Sequence, residues 1–187
     1  DEVADYFRDN GTELERMRSL YMQGCVYRDR NNPTKAIRCF NEALSCVDST
    51  DTDYDEQLAC RIYAQKAGLL SIERSVQPSI EAWDNAIRLA WKIKDTVGVI
   101  NYLSYKCGPY YINGMQDSVL AISDAAYKLA VAFGNKEYIA ETLGDKILHL
   151  INNKKIEKAG KLIKYYEKYS SIIDSSGSVA RGRELYY

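Results

Sequence analysis

Long apolar runs are missing from this sequence of 187 residues. None approaches the roughly 18 residues of a membrane-spanning helix, so no such span is expected in this segment. Proline is scarce, with three copies, and β-branched alternation is scarcer still, which argues against a sheet protein. Histidine occurs once: His149 lies in KILHLI, with no acid or cysteine at a motif spacing to make it a base, a nucleophile's partner or a metal ligand. Neither charge predominates. Lys and Arg number 25 against 26 Asp and Glu, which leaves no global field to draw nucleic acid or an anionic membrane surface. The five cysteines, at 25, 39, 46, 60 and 107, form no CxxC and cannot all pair within one chain. They are read as small apolar core residues.

What is present is helical. Apolar residues recur three and four apart almost everywhere. Breakers divide the chain at Asn10-Gly11, Asn31-Asn32-Pro33, the acidic stretch 48–55, Val76-Gln77-Pro78, Lys94-Asp95-Thr96, Asn113-Gly114, Gly134-Asn135, Asn152-Asn153 and 175–178. The intervals suit ordinary helices, and Pro33 and Pro78 fit the first turn of two of them. Tyrosine is the abundant aromatic, 16 copies against 3 Phe.

The segments repeat. Ala36-Ile37, Phe40 and Ala43 return as Ser79-Ile80, Trp83 and Ala86, then as Ser118-Val119, Ile122 and Ala125, and faintly as Ala159-Gly160, Ile163 and Tyr166. In the preceding helices Gly24 and Tyr27 correspond to Ala67 and Leu70, and Leu143-Gly144 with Ile147 is a third candidate. A recurring unit of this length predicts stacked helical hairpins.

Gly24, Tyr27, Ala36, Phe40 and Ala43 stand at the spacing of the tetratricopeptide repeat (TPR), and the chain resembles that family over nearly its whole length. It departs at the seventh position of the first helix, where Gln23 and Lys66 replace a large apolar residue, and it lacks the closing proline. The resemblance implies an all-α, right-handed α-α superhelix of about four hairpins in one domain, with repeats near 12–47, 53–93, 96–133 and 136–173. It also implies a concave groove lined by the first helices, for a protein or peptide partner. The matched groove positions are Arg18, Tyr21, Cys25 and Arg28, then Arg61, Ala64, Gly68 and Ser71. The Lys and Asn pair that clamps a chaperone carboxylate is absent from them. The Tyr content and eroded repeats are also similar to the repeat segments of bacterial envelope-anchored TPR proteins. That likeness implies a sensor or assembly role and a periplasmic or envelope location; without it, a cytoplasmic one.

The remaining features have plain readings. DSTDTDYDE (48–56) alternates acids like a calcium loop, but Glu56 and Ile62 stand where a glycine and a bidentate Glu belong. Its acids are expected to cap the next helix. Lys154, Lys158, Lys161, Lys164 and Lys168 form one basic helix face without an aromatic platform or Arg fork, so no nucleic acid is expected there. YLSYKCGPYYING (102–114) clusters tyrosines about Gly108-Pro109, which predicts a kink or an early end to its helix. Tyr105 from this stretch joins the candidate groove residues. No catalytic residue, metal or cofactor is expected. DEVADYF and SGSVARGRELYY read as pieces of flanking hairpins, so the chain is expected to belong to a longer array. Self-association through repeat edges, or a small-molecule or enzymatic cavity around the Tyr-rich third hairpin and His149, are the alternatives.

Overall fold

A computed structural model describes residues 2–48 and 54–169. The last expected flanking piece, 176–187, and most of the acidic loop lie outside them. Among the described residues there is no strand, and the helices are α1 (Glu2–Asn10), α2 (Glu13–Asp29), α3 (Pro33–Ser45), α4 (Glu56–Ile72), α5 (Val76–Lys92), α6 (Thr96–Ile112), α7 (Gln116–Phe133), α8 (Lys136–Asn152) and α9 (Ile156–Tyr169). The chain divides into two compact units, Asp1–Asn113 and Gly114–Tyr187.

Short polar side chains cap the starts of five of the described helices. Thr12 and Glu15 form a reciprocal capping box on α2, with the Glu15 amide donating to Thr12 Oγ1 at 3.3 Å and the Thr12 amide to Glu15 Oε2 at 2.9 Å. Asn32, Asp55, Asp95 and Asn135 accept first-turn amides of α3, α4, α6 and α8. Asp55 thus performs the capping expected of the acidic stretch.

Between the two helices of each repeat the chain turns through one left-handed residue: Asn31 (φ 54°), Arg74 (φ 56°), Gly114 (φ 71°) and Lys154 (φ 58°). This conformation costs a residue with a Cβ about 1–2 kcal/mol, and only Gly114 escapes it. The turn lets an amide reach back to a first-helix carbonyl: Asn32 to Tyr27 at 2.9 Å, Ser75 to Leu70 at 2.9 Å and Lys155 to Leu150 at 2.8 Å.

These four turns set the register of the repeats, and they correct the sequence alignment in two places. Counted from them, the third copy of Ala36, Phe40 and Ala43 is Val119, Ser123 and Ala126, all buried, whereas Ala125 is exposed. The alignment had slipped by one residue because Ile122 looks more like Phe40 than Ser123 does. Likewise Ile147, not Gly144, stands at the level of Gly24. Gly144 is small for another reason: a Cβ there would lie 3.2 Å from the Tyr166 ring. Of the two outcomes expected at Gly108-Pro109, a kink or an early end, the early end does not occur. Helix α6 holds Pro109 buried within it and continues to Ile112.

In the first unit the helices of a repeat meet through a small residue and a ring. A Cβ on Gly24 would come within 2.4 Å of the fully buried Phe40 ring. One repeat on, Ala67, Leu70, Ala82, Trp83 and Ala86 form a core that also takes in Ile37 from α3 and Tyr102 from α6. Successive hairpins therefore share apolar surface, as stacked repeats must. In the second unit Leu143, Ile147, Leu150 and Ala159 pack with Leu120, Tyr127, Leu162 and Tyr166.

Ion pairs reinforce two of the junctions at matching positions. Lys106 of α6 pairs with Asp84 of α5 in one unit, and Lys146 of α8 with Asp124 of α7 at 2.6 Å in the other. Each Lys occupies the seventh position at which the family's large apolar residue is missing, and each Asp directly follows the core position of Phe40. At the same level α4 has Lys66 and α3 has Asn41. Lys66 is half-buried without an acidic partner among the described residues, and burial pushes its pKa down, with Glu81 partly opposing.

The ammonium groups of Lys128 and Lys146 hold the Asp124 carboxyl below its ordinary value of 3.8. A carboxyl lowered in the folded state contributes stability that is complete above its unfolded value and is lost as pH falls through the folded one. The thermal midpoint of the 114–187 unit should therefore fall less in Asp124→Asn than in the parent between about pH 5 and pH 2. Parallel pH profiles would remove this pair from the acid response.

Candidate functional site

Within the first unit, α4 has the first helices α2 and α6 as its neighbours. Their shared outer face carries most of the groove residues expected from sequence. Helical spacing puts Arg18, Tyr21, Cys25 and Arg28 along one stripe of α2, and Arg61, Ala64 and Gly68 along the corresponding stripe of α4.

The three arginines are held differently. Arg18 Nη2 lies 3.3 Å from Oδ2 of Asp55, the residue that caps α4. Arg28 pairs with Asp29 at 2.7 Å and donates to Gln65 Oε1, which ties α2 to α4. Arg61 is exposed and forms no ion pair or hydrogen bond among the described residues. Of the three it is the one whose guanidinium is uncommitted among the described residues.

On the α2 stripe, half-buried Tyr21 packs on Phe40 with ring centroids 6.1 Å apart. Burial pushes its phenol pKa up, the Cys25 thiol adds to this, and Arg61 and Arg28 act in the opposite direction. Tyr21 therefore stays neutral near pH 7 and offers a hydroxyl for hydrogen bonding. Gly68 leaves open space: nothing lies within 4 Å of where its Cβ would be, and the same holds for Gly108 on α6. Extended backbone can approach a helix closely where the Cβ is absent.

Two expected residues are placed differently. The Ser71 hydroxyl lies 3.0 Å from the Ala67 carbonyl oxygen and 2.7 Å from buried Ser79 Oγ, which ties it into the α4–α5 crossing. Tyr105 is 61 % exposed, but its ring packs 5.7 Å from Trp83 of α5, on the flank of α6 rather than on the arginine stripe. The α6 positions in register with the groove are Asn101, Ser104, Gly108 and Tyr111. They escape sequence reasoning because Gly108-Pro109 masks the repeat, and the turn at Gly114 is the signal that recovers them. Gln65 was missed as well, because its use depends on Arg28 across the helix pair.

His149 is half-buried, its Nδ1 has no hydrogen-bond partner among the described residues, and burial lowers its pKa. None of the described cysteines is in a disulfide, and Cys39, Cys60 and Cys107 are buried. No group of three or more His, Cys, Asp or Glu able to hold a metal ion occurs among the described residues, and no described helix is long and apolar enough to cross a membrane.

No protein-family model and no curated protein matches the sequence. Solved structures do match. A Podosopora anserina kinesin light chain protein with nearly identical TPR-like repeats aligns over 90% of this chain and 82% of its own, at 10% identity and a TM-score of 0.74. BtubC (BKLC) from P. vanneervenii aligns over 90% of this chain and 69% of its own, at 12% identity and a TM-score of 0.76. At such identities the likeness is one of architecture: this chain has the all-α, TPR-like helical-repeat solenoid fold.

Proposed function

We propose that this chain is a non-enzymatic docking scaffold whose α2–α4–α6 face receives an extended segment of a partner protein. The fold commonly serves protein interaction. The observation that carries the reading is the pairing of an uncommitted cation, Arg61, with open backbone at Gly68, between the fixed flanks of Tyr21 and Arg28. A segment laid across Gly68 can place a carboxylate at Arg61 and a polar group at the Tyr21 hydroxyl. A sensor or assembly part of a larger regulatory protein would use such a face.

Selection of a displayed random-peptide library on the purified chain tests this. Enriched peptides should carry an acidic residue and should lose at least about tenfold in affinity for Arg61→Glu, the scale of one charge-assisted contact turned repulsive. Peptides that bind Arg61→Glu as well as the parent would place the docking face elsewhere.

A further inference from the structure

The repeats contain an internal comparison that bears on the surface of α9. At the position of Phe40, every earlier repeat buries its residue: Phe40 is 0% exposed, Trp83 5% and Ser123 2%. The fourth, Ile163, is 44% exposed, and Ile156 two turns before it is 58% exposed. Exposed Gly160 lies between them on the same stripe, with open space where a Cβ would stand. In the first two of these hairpins the next first helix contributes to covering the stripe; Trp83, for instance, meets Tyr102 and Tyr105 of α6.

The residue after this position sets the charge of the junction. Asp84 receives Lys106, and Asp124 receives Lys146. On α9 that residue is Lys164, exposed, with Lys161 and Lys168 on the same side of the helix and also exposed. The surface has the apolar form of a repeat junction with its charge inverted.

We propose that the Ile156–Gly160–Ile163 face of α9 docks an amphipathic partner helix that carries a carboxylate at the level of Lys164, where the internal junctions carry a lysine. The face shares no residue with the α2–α4–α6 groove, so the two readings stand or fall separately. A helix like α8 itself is disfavoured by its charge: Lys146 would meet Lys164. This selects against registry with the chain's own repeats and in favour of an acidic helix.

The chain's own α8 supplies the probe. A fluorescent peptide of residues 134–155 carrying Lys146→Glu should bind the 187-residue chain roughly tenfold more tightly than the unsubstituted peptide, because an attractive pair replaces a like-charge contact. Lys164→Asp in the protein should reverse that preference, and Ile163→Asp should weaken both peptides. The reversal is the decisive readout, since loss of folding cannot produce it. Three results would overturn the proposal: a preference indifferent to Lys164→Asp, binding that appears only after deletion of 170–187, which would give the face to the chain's own last residues, and Ile163-dependent dimerisation in sedimentation, which would give it to a second copy.

Discussion

Phe40→Ala is expected to destabilise the α2–α3 hairpin by about 3–5 kcal/mol, the usual range for emptying a buried aromatic site. Ile163→Ala, at the same register position of the fourth repeat, is expected to cost about 1 kcal/mol or less, because a half-exposed side chain leaves no closed cavity. The contrast follows from surroundings rather than residue type. Phe40 is fully buried beside Gly24 and Tyr21, whereas Ile163 faces outward. Stacked repeats need not unfold in one step, so amide exchange within α2–α3 and within α8–α9 is the appropriate measurement. Similar losses at the two sites would show that Ile163 is covered, contrary to its assigned exposure.

The second large effect separates two glycines in neighbouring first helices. Gly24→Leu drives a side chain into the Phe40 ring, where even a Cβ would lie at 2.4 Å. Overpacking of this kind costs about 1–3 kcal/mol and occasionally more, and the upper end is expected because the ring cannot retreat. Gly68→Leu has open space at its Cβ. It should raise helix stability by up to about 1 kcal/mol, since leucine favours the helix and glycine does not. The same substitution should fill the groove floor and abolish binding of the selected peptides. A variant that is stabilised yet still binds would remove Gly68 from the docking face, and a stable Gly24→Leu would contradict the close crossing of α2 and α3.

The repeat architecture was legible because it rests on local chemistry. Small residues at 24, 36 and 43 and rings at 27 and 40 leave a spaced imprint, and polar residues mark the helix starts. Register in the later repeats was less legible, since Ser123 fills a position held elsewhere by Phe40 and Trp83, and only the left-handed turns identify it. The continuation of α6 past Pro109 was not legible, because sequence shows the hydrogen bond that proline forfeits and not the packing around the buried ring. For the proposed docking face, sequence supplied candidate positions but not their states. That Arg18 and Arg28 are committed while Arg61 is free depends on Asp55, Asp29 and Gln65, and two of those three partners lie more than a helix away along the chain. Ser71 shows the same limit, because its hydroxyl is claimed by Ser79 across the hairpin.

The junction where Lys66 stands without an acid has a consequence for how the first unit yields. Its neighbour farther along carries the Lys106–Asp84 pair, whereas the first and second hairpins are tied instead through Arg18–Asp55 and Arg28–Gln65, both at the edge of the proposed docking face. That face spans the joint between the two hairpins, with Arg28 on one side and Arg61 on the other. A bound segment would stitch that joint further, and its binding energy would appear as stiffness there. Occupancy would then be read by whatever adjoins the first hairpin as a change in how firmly that hairpin is held.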